Sequence, residues 1–222
     1  TLLRRARGFA PVYFHEKLDF PKSTTLTLGA EMKSTFTLSH LGNLNISQFL
    51  GDLADFETQQ RFNGVLEHIL GLFEAEPALV VGDLHPGYFT TQLGQALSEK
   101  WQVPFLQVQH HEAHFAAVLA ENELLDGDSP ILGMIWDGTG YGKDGQIWGG
   151  ECFVYRPDAS EVIERVGHFE YFPQLLGDKM PREPRLSALA ACFRIESAME
   201  WLRPKFSALE WDLYQKILHQ EN

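Results

Sequence analysis

The sequence has few cysteines, a shortage of basic residues and no long apolar run. Its two cysteines, Cys152 and Cys192, lack Cys-x-x-Cys spacing, so we expect neither a disulfide framework nor a thiolate metal site, and a reducing cytoplasm fits. Eighteen basic residues stand against 30 acidic ones, and the net charge of −12 disfavours nucleic-acid binding by phosphate neutralisation. The sequence contains neither the roughly 18–20 consecutive apolar residues of a membrane span nor a signal peptide. We therefore expect a cytoplasmic protein that binds neither a membrane nor nucleic acid.

The length of 222 residues, 44% of them hydrophobic, suffices for one large domain or two smaller ones. The chain begins at Thr1 rather than at a methionine, so we expect it to be part of a longer protein. Residues 1–23 contain prolines at positions 11 and 21 and show no helical or strand period, which predicts a tail or linker.

Residues 24–128 have the pattern of a strand meander followed by alternating helices and strands. Polar and apolar residues alternate in 25–30 and 35–39, which predicts a hairpin whose turn carries Glu31, Lys33 and Ser34. Further strands are predicted at 45–50, 78–83 and 103–108, and helices at 52–73, at 88–100 and from residue 111. This order predicts an α/β fold with parallel strands added to an antiparallel sheet.

Residues 129–222 open in a similar way and end in helices. Strands are predicted at 130–137, 152–155 and 162–169, with a glycine-rich turn after the first. Helices are predicted at 186–193, 197–202 and 207–219, the last with Ser207 and Glu210 as a capping box. Two similar openings in one chain predict two related subdomains.

A histidine-rich segment, VQHHEAH at 108–114, joins a predicted strand to a predicted helix. His110 and His114 are four residues apart, so they share one helix face and can bind one metal ion from one side. The end of a strand is also where α/β folds bind ligands. The alternative is a polar helix start with solvated or hydrogen-bonded histidines. A zinc-peptidase H-E-x-x-H motif is excluded, because Phe115 stands where its second histidine is needed.

A second candidate site is the glycine-rich segment DGTGYG at 137–142. Its glycines permit backbone N–H groups to approach a phosphate, Thr139 adds a hydroxyl donor, and Asp137 can bind Mg²⁺ or orient a nucleophile. It is neither a Walker P-loop nor a dinucleotide turn, because it lacks GK[ST] and no helix follows directly. Lys33, Ser34 and Thr35 of the first hairpin can supply the opposite phosphate wall. The alternatives are a plain glycine-rich turn and an exposed charged turn.

Six motifs occur in a family-specific order: GAEMKSTFTL (29–38), GDL…FE (51–57), DLHPGY (83–88), VQHHEAH (108–114), DGTGYGKDGQIWGGE (137–151) and REP (182–184). In this order they resemble the HypF family, the carbamoyltransferases that mature [NiFe] hydrogenases. The resemblance runs from about Leu3 to near the end of the chain. RRARGFAP (4–11) is similar to the end of the YrdC-like domain of that family, so residues 1–23 would be the end of a preceding domain and a linker.

The resemblance implies the actin/Hsp70/sugar-kinase-like (ASKHA) fold, with a complete first subdomain at 24–128 and a partial second one at 129–222. It implies transfer of a carbamoyl group from carbamoyl-adenylate, made from carbamoyl phosphate and ATP, to the C-terminal cysteine of the partner HypE. The product would supply the cyanide ligands of the hydrogenase iron. The implied cofactors are a divalent metal, Zn or Fe, and Mg-ATP.

The resemblance also implies site residues. His110 and His114 match the metal ligands of the family, and Asp137 and Lys33 are the implied catalytic residues. The implied nucleotide- and substrate-binding residues are Gly29, Glu31, Lys33, Ser34, Asp83, His85, Asp137, Gly138, Thr139, Gly140, Gly149 and Gly150.

The sequence departs from the family pattern at two places. Glu112 stands where a third histidine is usual, as in the H-x-E-G-H of the relatives that transfer threonylcarbamoyl groups to tRNA. The adenosine-binding GGVxxN segment and a later metal-binding aspartate are missing, so we expect a fragment with two metal ligands that binds metal and nucleotide weakly and is inactive alone. Two alternatives are a non-catalytic scaffold that docks HypE-like partners and a tRNA-modifying relative. The DLHP and WGGE motifs and the acidic charge argue against the latter.

Overall fold

The computed structural model of the chain describes residues 12–14 and 22–220, with backbone alone at 12–14, 178, 181 and 220. The chain divides into two compact units, one ending at His168 and the other beginning at Phe169. The predicted subdomain boundary at 128–129 falls inside the first unit and stays a prediction. Most of the predicted linker lies outside the described residues, but residues 12–14 form a strand that the sequence analysis missed. A three-residue strand is too short to show a period.

The first unit contains a six-stranded sheet with the spatial order β1-β4-β3-β2-β5-β6. Its strands are β1 (Val12–Phe14), β2 (Thr25–Thr27), β3 (Thr37–His40), β4 (Asn43–Ile46), β5 (Leu79–Asp83) and β6 (Phe105–Val108). Strands β2, β3 and β4 pair antiparallel, and β5 and β6 extend the sheet in parallel. The predicted meander with parallel additions is confirmed.

Three helices follow the predicted order: α1 (Phe56–Leu72), α2 (Phe89–Trp101) and α3 (His110–Glu121). The Asp55 carboxylate caps α1 by accepting the N–H of Thr58 at 2.9 Å. The buried side of α1 packs on the sheet, where Phe62 makes edge-to-face ring contacts with Phe36 and Phe89 at 5.5 and 6.0 Å. The apolar spacing of α1 therefore buries one stripe of the helix in the first core.

A separate antiparallel sheet forms the rest of the first unit, with the order β7 (Ile131–Tyr141), β8 (Ile147–Tyr155) and β9 (Ile163–His168). Between the pairs Trp136↔Gly150 and Gly140↔Trp148 the register shifts, so three residues of β7 lie opposite one residue of β8. Residues 137–140, predicted as a turn, belong to this β-bulge instead. The reversal lies at 142–145, where the Gly142 N–H donates to the Gln146 carbonyl at 2.8 Å.

The second unit, residues 169–222, has helices as its regular secondary structure where it is described, and it has a buried core of its own. Its helices are α4 (Pro184–Cys192), α5 (Glu196–Leu202) and α6 (Ala208–Gln220), with 3₁₀ segments at Gly177–Arg182 and Arg203–Lys205. The predicted capping box is confirmed: the Ser207 N–H donates to Glu210 at 2.8 Å, and the Glu210 N–H donates to Ser207 Oγ at 3.2 Å. Across the part of the chain that the structure describes, no helix has the length and apolar character that crossing a membrane requires.

Candidate metal centre

Gln109 fixes the start of α3. Its side-chain oxygen accepts the N–H groups of His111 at 2.6 Å and Glu112 at 3.0 Å, which are otherwise unpaired at a helix start. Its side-chain nitrogen donates to the Tyr141 carbonyl on β7 at 3.2 Å. Because the helix begins at His110, the side chains of His110 and His114 lie one turn apart on the same face.

Three side chains converge in front of α3. The Nε2 atoms of His110 and His114 are 3.1 Å apart, and Asp137 Oδ2 lies 3.3 Å from the first and 3.4 Å from the second. Ligands of a tetrahedral ion with bonds of about 2.0–2.1 Å lie about 3.3 Å from each other. The three atoms therefore have the spacing of three tetrahedral ligands, and they are the one such group among the described residues. Two imidazoles and one carboxylate suit Zn²⁺ or Fe²⁺ and leave a fourth position for a substrate.

Asp83 supports His110 from behind. Its buried carboxylate lies at the end of β5, with Oδ2 2.9 Å from His110 Nδ1 and Oδ1 accepting the His85 N–H at 2.8 Å. This contact favours the tautomer in which Nδ1 carries the proton and the Nε2 lone pair faces His114 and Asp137. Asp83 was predicted to bind nucleotide or substrate, but both of its oxygens have partners within the protein. In this structure it orients His110, a candidate metal ligand.

The charges around the centre shift two of its pKa values in opposite directions. The hydrogen bond that His110 donates to Asp83, aided by the charge of Asp137, raises the pKa of His110 above its ordinary value despite the partial burial of the ring. Partial burial by itself raises the pKa of Asp137, but the N–H of Gly138 and the neighbouring histidines outweigh it, so the net pKa is lowered. Asp137 is therefore ionised, as a ligand must be.

We expect metal binding to weaken as the pH falls through the raised pKa of His110, because a proton and a metal ion compete for Nε2. Since Asp83 raises that pKa, Asp83→Asn is expected to move the midpoint of the loss to lower pH, while the amide oxygen still accepts from Nδ1. Co²⁺ binding followed by visible absorption between pH 5 and 8, roughly the range in which histidine titrates, measures both midpoints. An unchanged or higher midpoint in Asp83→Asn would contradict the assignment of Asp83.

The bulge in β7 directs Asp137 toward the histidines. Asp137 Oδ1 accepts the N–H of the next residue, Gly138, at 2.6 Å, which leaves Oδ2 to face His110 and His114. Strand β8 packs closely against the backbone of the bulge at Gly149. A methyl group added to Gly149 would lie 3.1 Å from the Asp137 carbonyl oxygen. Within the bulge, Thr139 is exposed and Gly140 is buried against α3. Gly150 on β8 is partly buried.

The first hairpin contributes less to an open site than the sequence predicted. Ser34 is buried and its hydroxyl donates to the Gly51 carbonyl at 3.0 Å, so in this structure it does not face a ligand. Gly29 has a φ of +70°, and a methyl group there would lie 2.8 Å from the Thr35 carbonyl oxygen, so it serves the tight turn. Glu31 accepts the N–H of Phe89 at the start of α2, at 2.8 Å. Lys33 is exposed in the turn and stays a predicted phosphate contact.

His85, another predicted substrate contact, belongs to an aromatic cluster beside the metal-binding residues. Its ring stacks on Tyr88 at 4.1 Å between centroids and meets the Tyr141 ring edge-on at 5.4 Å. Burial and the nearby carboxylate of Asp83 raise the pKa of Tyr88, so its hydroxyl stays protonated near neutral pH. The cluster provides an aromatic surface next to the candidate centre.

The sequence analysis missed three features of the centre. It counted two candidate metal ligands, His110 and His114, and did not place Asp137 with them, although the three side chains form one group. It also assigned no role to His111 or Glu151, which are buried directly behind Asp137. The sequence did contain a signal for these two residues. His111 is the middle one of the three histidines in the motif at 108–114, and Glu151 is the last residue of the motif at 137–151. A one-dimensional pattern, however, does not show that β7 packs against α3.

Comparison with known proteins identifies the family of the chain. A family model described as "HypF Kae1-like domain" matches residues 21–121, and one described as "Carbamoyltransferase, Kae1-like Domain, second subdomain" matches residues 133–222. The chain belongs to the HypF family. Kae1-like domains have the ASKHA-type fold, so the fold predicted for this HypF-family chain is confirmed.

Two relatives and one solved structure describe the extent of the match. The chain is 39% identical over 189 residues to the carbamoyltransferase HypF2 of Cupriavidus necator. The aligned residues make up 85% of this chain and 22% of that protein. It is 36% identical to the carbamoyltransferase HypF of Synechocystis sp., over 98% of this chain and 29% of that protein. A crystal structure of full-length HypF in a phosphate- and nucleotide-bound form superposes with a TM-score of 0.86 at 31% identity, over 98% of this chain and 28% of that one. The chain thus spans less than a third of each of these HypF proteins.

Proposed function

We propose that this chain forms the carbamoyl-transfer site of a HypF-type carbamoyltransferase. In this proposal carbamoyl-adenylate is made from carbamoyl phosphate and ATP, and its carbamoyl group passes to the C-terminal cysteine of a HypE-type protein. The product would supply the cyanide ligands of [NiFe] hydrogenases. The observation that carries the proposal is the convergence of His110, His114 and Asp137 beside the glycine-rich bulge. Family membership supports carbamoyl transfer as the reaction, since both relatives described above are carbamoyltransferases.

The proposed reaction exchanges one bond to the carbamoyl carbon for another. The cysteine thiolate gives an electron pair to that carbon and forms a C–S bond, while the C–O bond to the phosphate breaks and AMP leaves with its electrons. A bound divalent metal, Zn or Fe, would supply a Lewis acid that polarises the carbamoyl or phosphate oxygens. Charge develops on the departing phosphate, so donors placed near it would lower the barrier.

The residues of the chain divide these tasks. His110, His114 and Asp137 would bind the divalent metal, and Asp83 would keep His110 oriented. Asp137, predicted as catalytic, acts as a ligand in this proposal, because one of its oxygens accepts the Gly138 N–H and the other faces the histidines. Thr139 and Lys33 are exposed, so the hydroxyl of the first and the ammonium of the second are available to the phosphate of AMP. That a related HypF binds phosphate and nucleotide supports this part.

The test uses a chimera in which this chain replaces the matching segment of Synechocystis HypF. With carbamoyl phosphate, ATP and a peptide carrying the C-terminal sequence of HypE, we expect a peptide one carbamoyl group heavier by mass spectrometry. His110→Ala or His114→Ala is expected to slow this reaction about 100-fold or more, since Lewis-acid catalysis contributes several kcal/mol.

His68→Ala is the matched control, because His68 is exposed on α1 and belongs to no part of the centre. We expect it to react at the rate of the unsubstituted chimera. A chimera that folds and binds the peptide but leaves it unmodified would favour the non-catalytic scaffold over a transferase.

A further inference from the structure

His111 is the one histidine of the segment 108–114 that faces away from solvent. Its side chain is fully buried, in contrast to the partly exposed rings of His110 and His114. Each ring nitrogen faces a carboxylate from a different strand: Nδ1 lies 2.7 Å from Glu151 Oε2 on β8, and Nε2 lies 3.7 Å from Asp137 Oδ2 on β7. The imidazole therefore lies between the bulge and the centre of the second sheet.

Glu151, on the far side of this imidazole, is itself fixed from two directions. Its Oε1 accepts the N–H of Gly149 at 3.2 Å and lies 3.3 Å from a guanidinium nitrogen of Arg165 on β9. The Arg165 guanidinium lies 3.8 Å from the centre of the Trp148 ring. A carboxylate with these partners gives His111 a rigid support.

The other edge of His111 contacts the bulge. A methyl group added to Gly140 would lie 2.9 Å from His111 Nε2, so the ring touches the backbone that ends the bulge. Gln109 fixes the next residue by donating to the Tyr141 carbonyl. Shifting or removing the imidazole would leave the segment that carries Asp137 without support on this side.

We propose that His111 is a positioning residue: braced on Glu151, its buried imidazole supports the bulge at 137–140 and keeps the Asp137 carboxylate next to His110 and His114. A packing role alone explains the arrangement poorly. Burying an imidazole and a carboxylate costs free energy, and apolar side chains of similar volume fill space without that cost. The metal-binding part of this proposal rests on the proposed function, whereas the support of the bulge does not.

The test compares two substitutions, one at His111 and one at Glu151. In His111→Asn the amide nitrogen replaces Nδ1, so the contact with Glu151 is retained and the ring edge against Gly140 is lost. Glu151→Gln keeps the shape of the support and removes its charge. We expect each to weaken Co²⁺ binding about 10–100-fold and to change the visible spectrum of bound Co²⁺, as loss of a residue that orients a ligand does. The double variant should bind Co²⁺ no more weakly than the weaker single variant, because Glu151 acts on the bulge only through His111.

Hydrogen exchange of the metal-free chain provides a readout that needs no metal. Faster exchange in a peptide covering 137–141, with unchanged exchange in α1, is expected for both variants. His68→Asn makes the same chemical change on the exposed side of α1 and should alter neither exchange nor Co²⁺ binding.

Unchanged exchange at 137–141 together with an unchanged Co²⁺ spectrum and affinity would overturn the proposal, whatever happens to the melting temperature. If the unsubstituted chain binds no Co²⁺, the metal assignment fails and the exchange experiment alone decides the role of His111. If His111→Asn does not fold, Glu151→Gln carries the same measurements.

Discussion

Asp137→Asn is expected to lower the affinity for Co²⁺ or Zn²⁺ by more than about 100-fold, beyond the 10–100-fold typical for residues that only orient a ligand. The amide oxygen can still accept the N–H of Gly138, so the bulge keeps its local hydrogen bond. What is lost is the negative charge that faces His110 and His114. Calorimetric titration of the metal-free chain, or competition with a chelator dye, measures the change.

The matched control is Asp128→Asn, which makes the same substitution at an exposed position in the loop before β7. Its affinity should equal that of the unsubstituted chain. Equal affinity in Asp137→Asn would mean that the third ligand is not Asp137, and the proposed centre would then fail with it.

Phe62→Ala is expected to lower the free energy of unfolding of the first unit by about 3–5 kcal/mol, because it removes a buried ring and leaves a cavity. The ring contacts Phe36, which lies in the first hairpin directly before β3, and Phe89, which begins α2. Whole domains have about 5–15 kcal/mol of stability, so one substitution would remove a large share of it. Urea unfolding followed by circular dichroism measures the difference.

Phe56→Ala is the matched control on the same helix, since the Phe56 side chain is 67% exposed. We expect its effect to stay within about 0.5 kcal/mol, as for most surface substitutions. Equal losses in the two variants would contradict the assignment of the buried face of α1.

Local chemistry explains which features the sequence could predict. The four-residue spacing of His110 and His114 becomes a shared helix face through the 3.6-residue turn alone, which depends on no distant residue. The capping box of Ser207 and Glu210 is local in the same way. The parallel additions followed from the alternation of helices and strands along the chain.

The remaining features depend on distant packing. Asp137 becomes a third candidate ligand only because the bulge in β7 turns its side chain toward a helix that begins 27 residues earlier along the chain. The family resemblance implied that Asp83 contacts nucleotide or substrate, yet its position at the end of β5 lets it reach His110 at the start of α3. Ser34 was assigned to phosphate from its residue type, but burial gives its hydroxyl a backbone partner.

The candidate centre takes its ligands from both family segments: His110 and His114 belong to the match at 21–121, and Asp137 to the match at 133–222. Neither segment alone contains the three ligands, so a protein cut between them would lose the site even if each piece folded. A ligand that binds all three side chains links the two segments, and by mass action it stabilises the joined arrangement by about 2.7 kcal/mol at a concentration 100 times its Kd. Because the centre is shared, a substitution that shifts a candidate ligand in one segment also changes the affinity with which the candidate ligands of the other segment bind the metal.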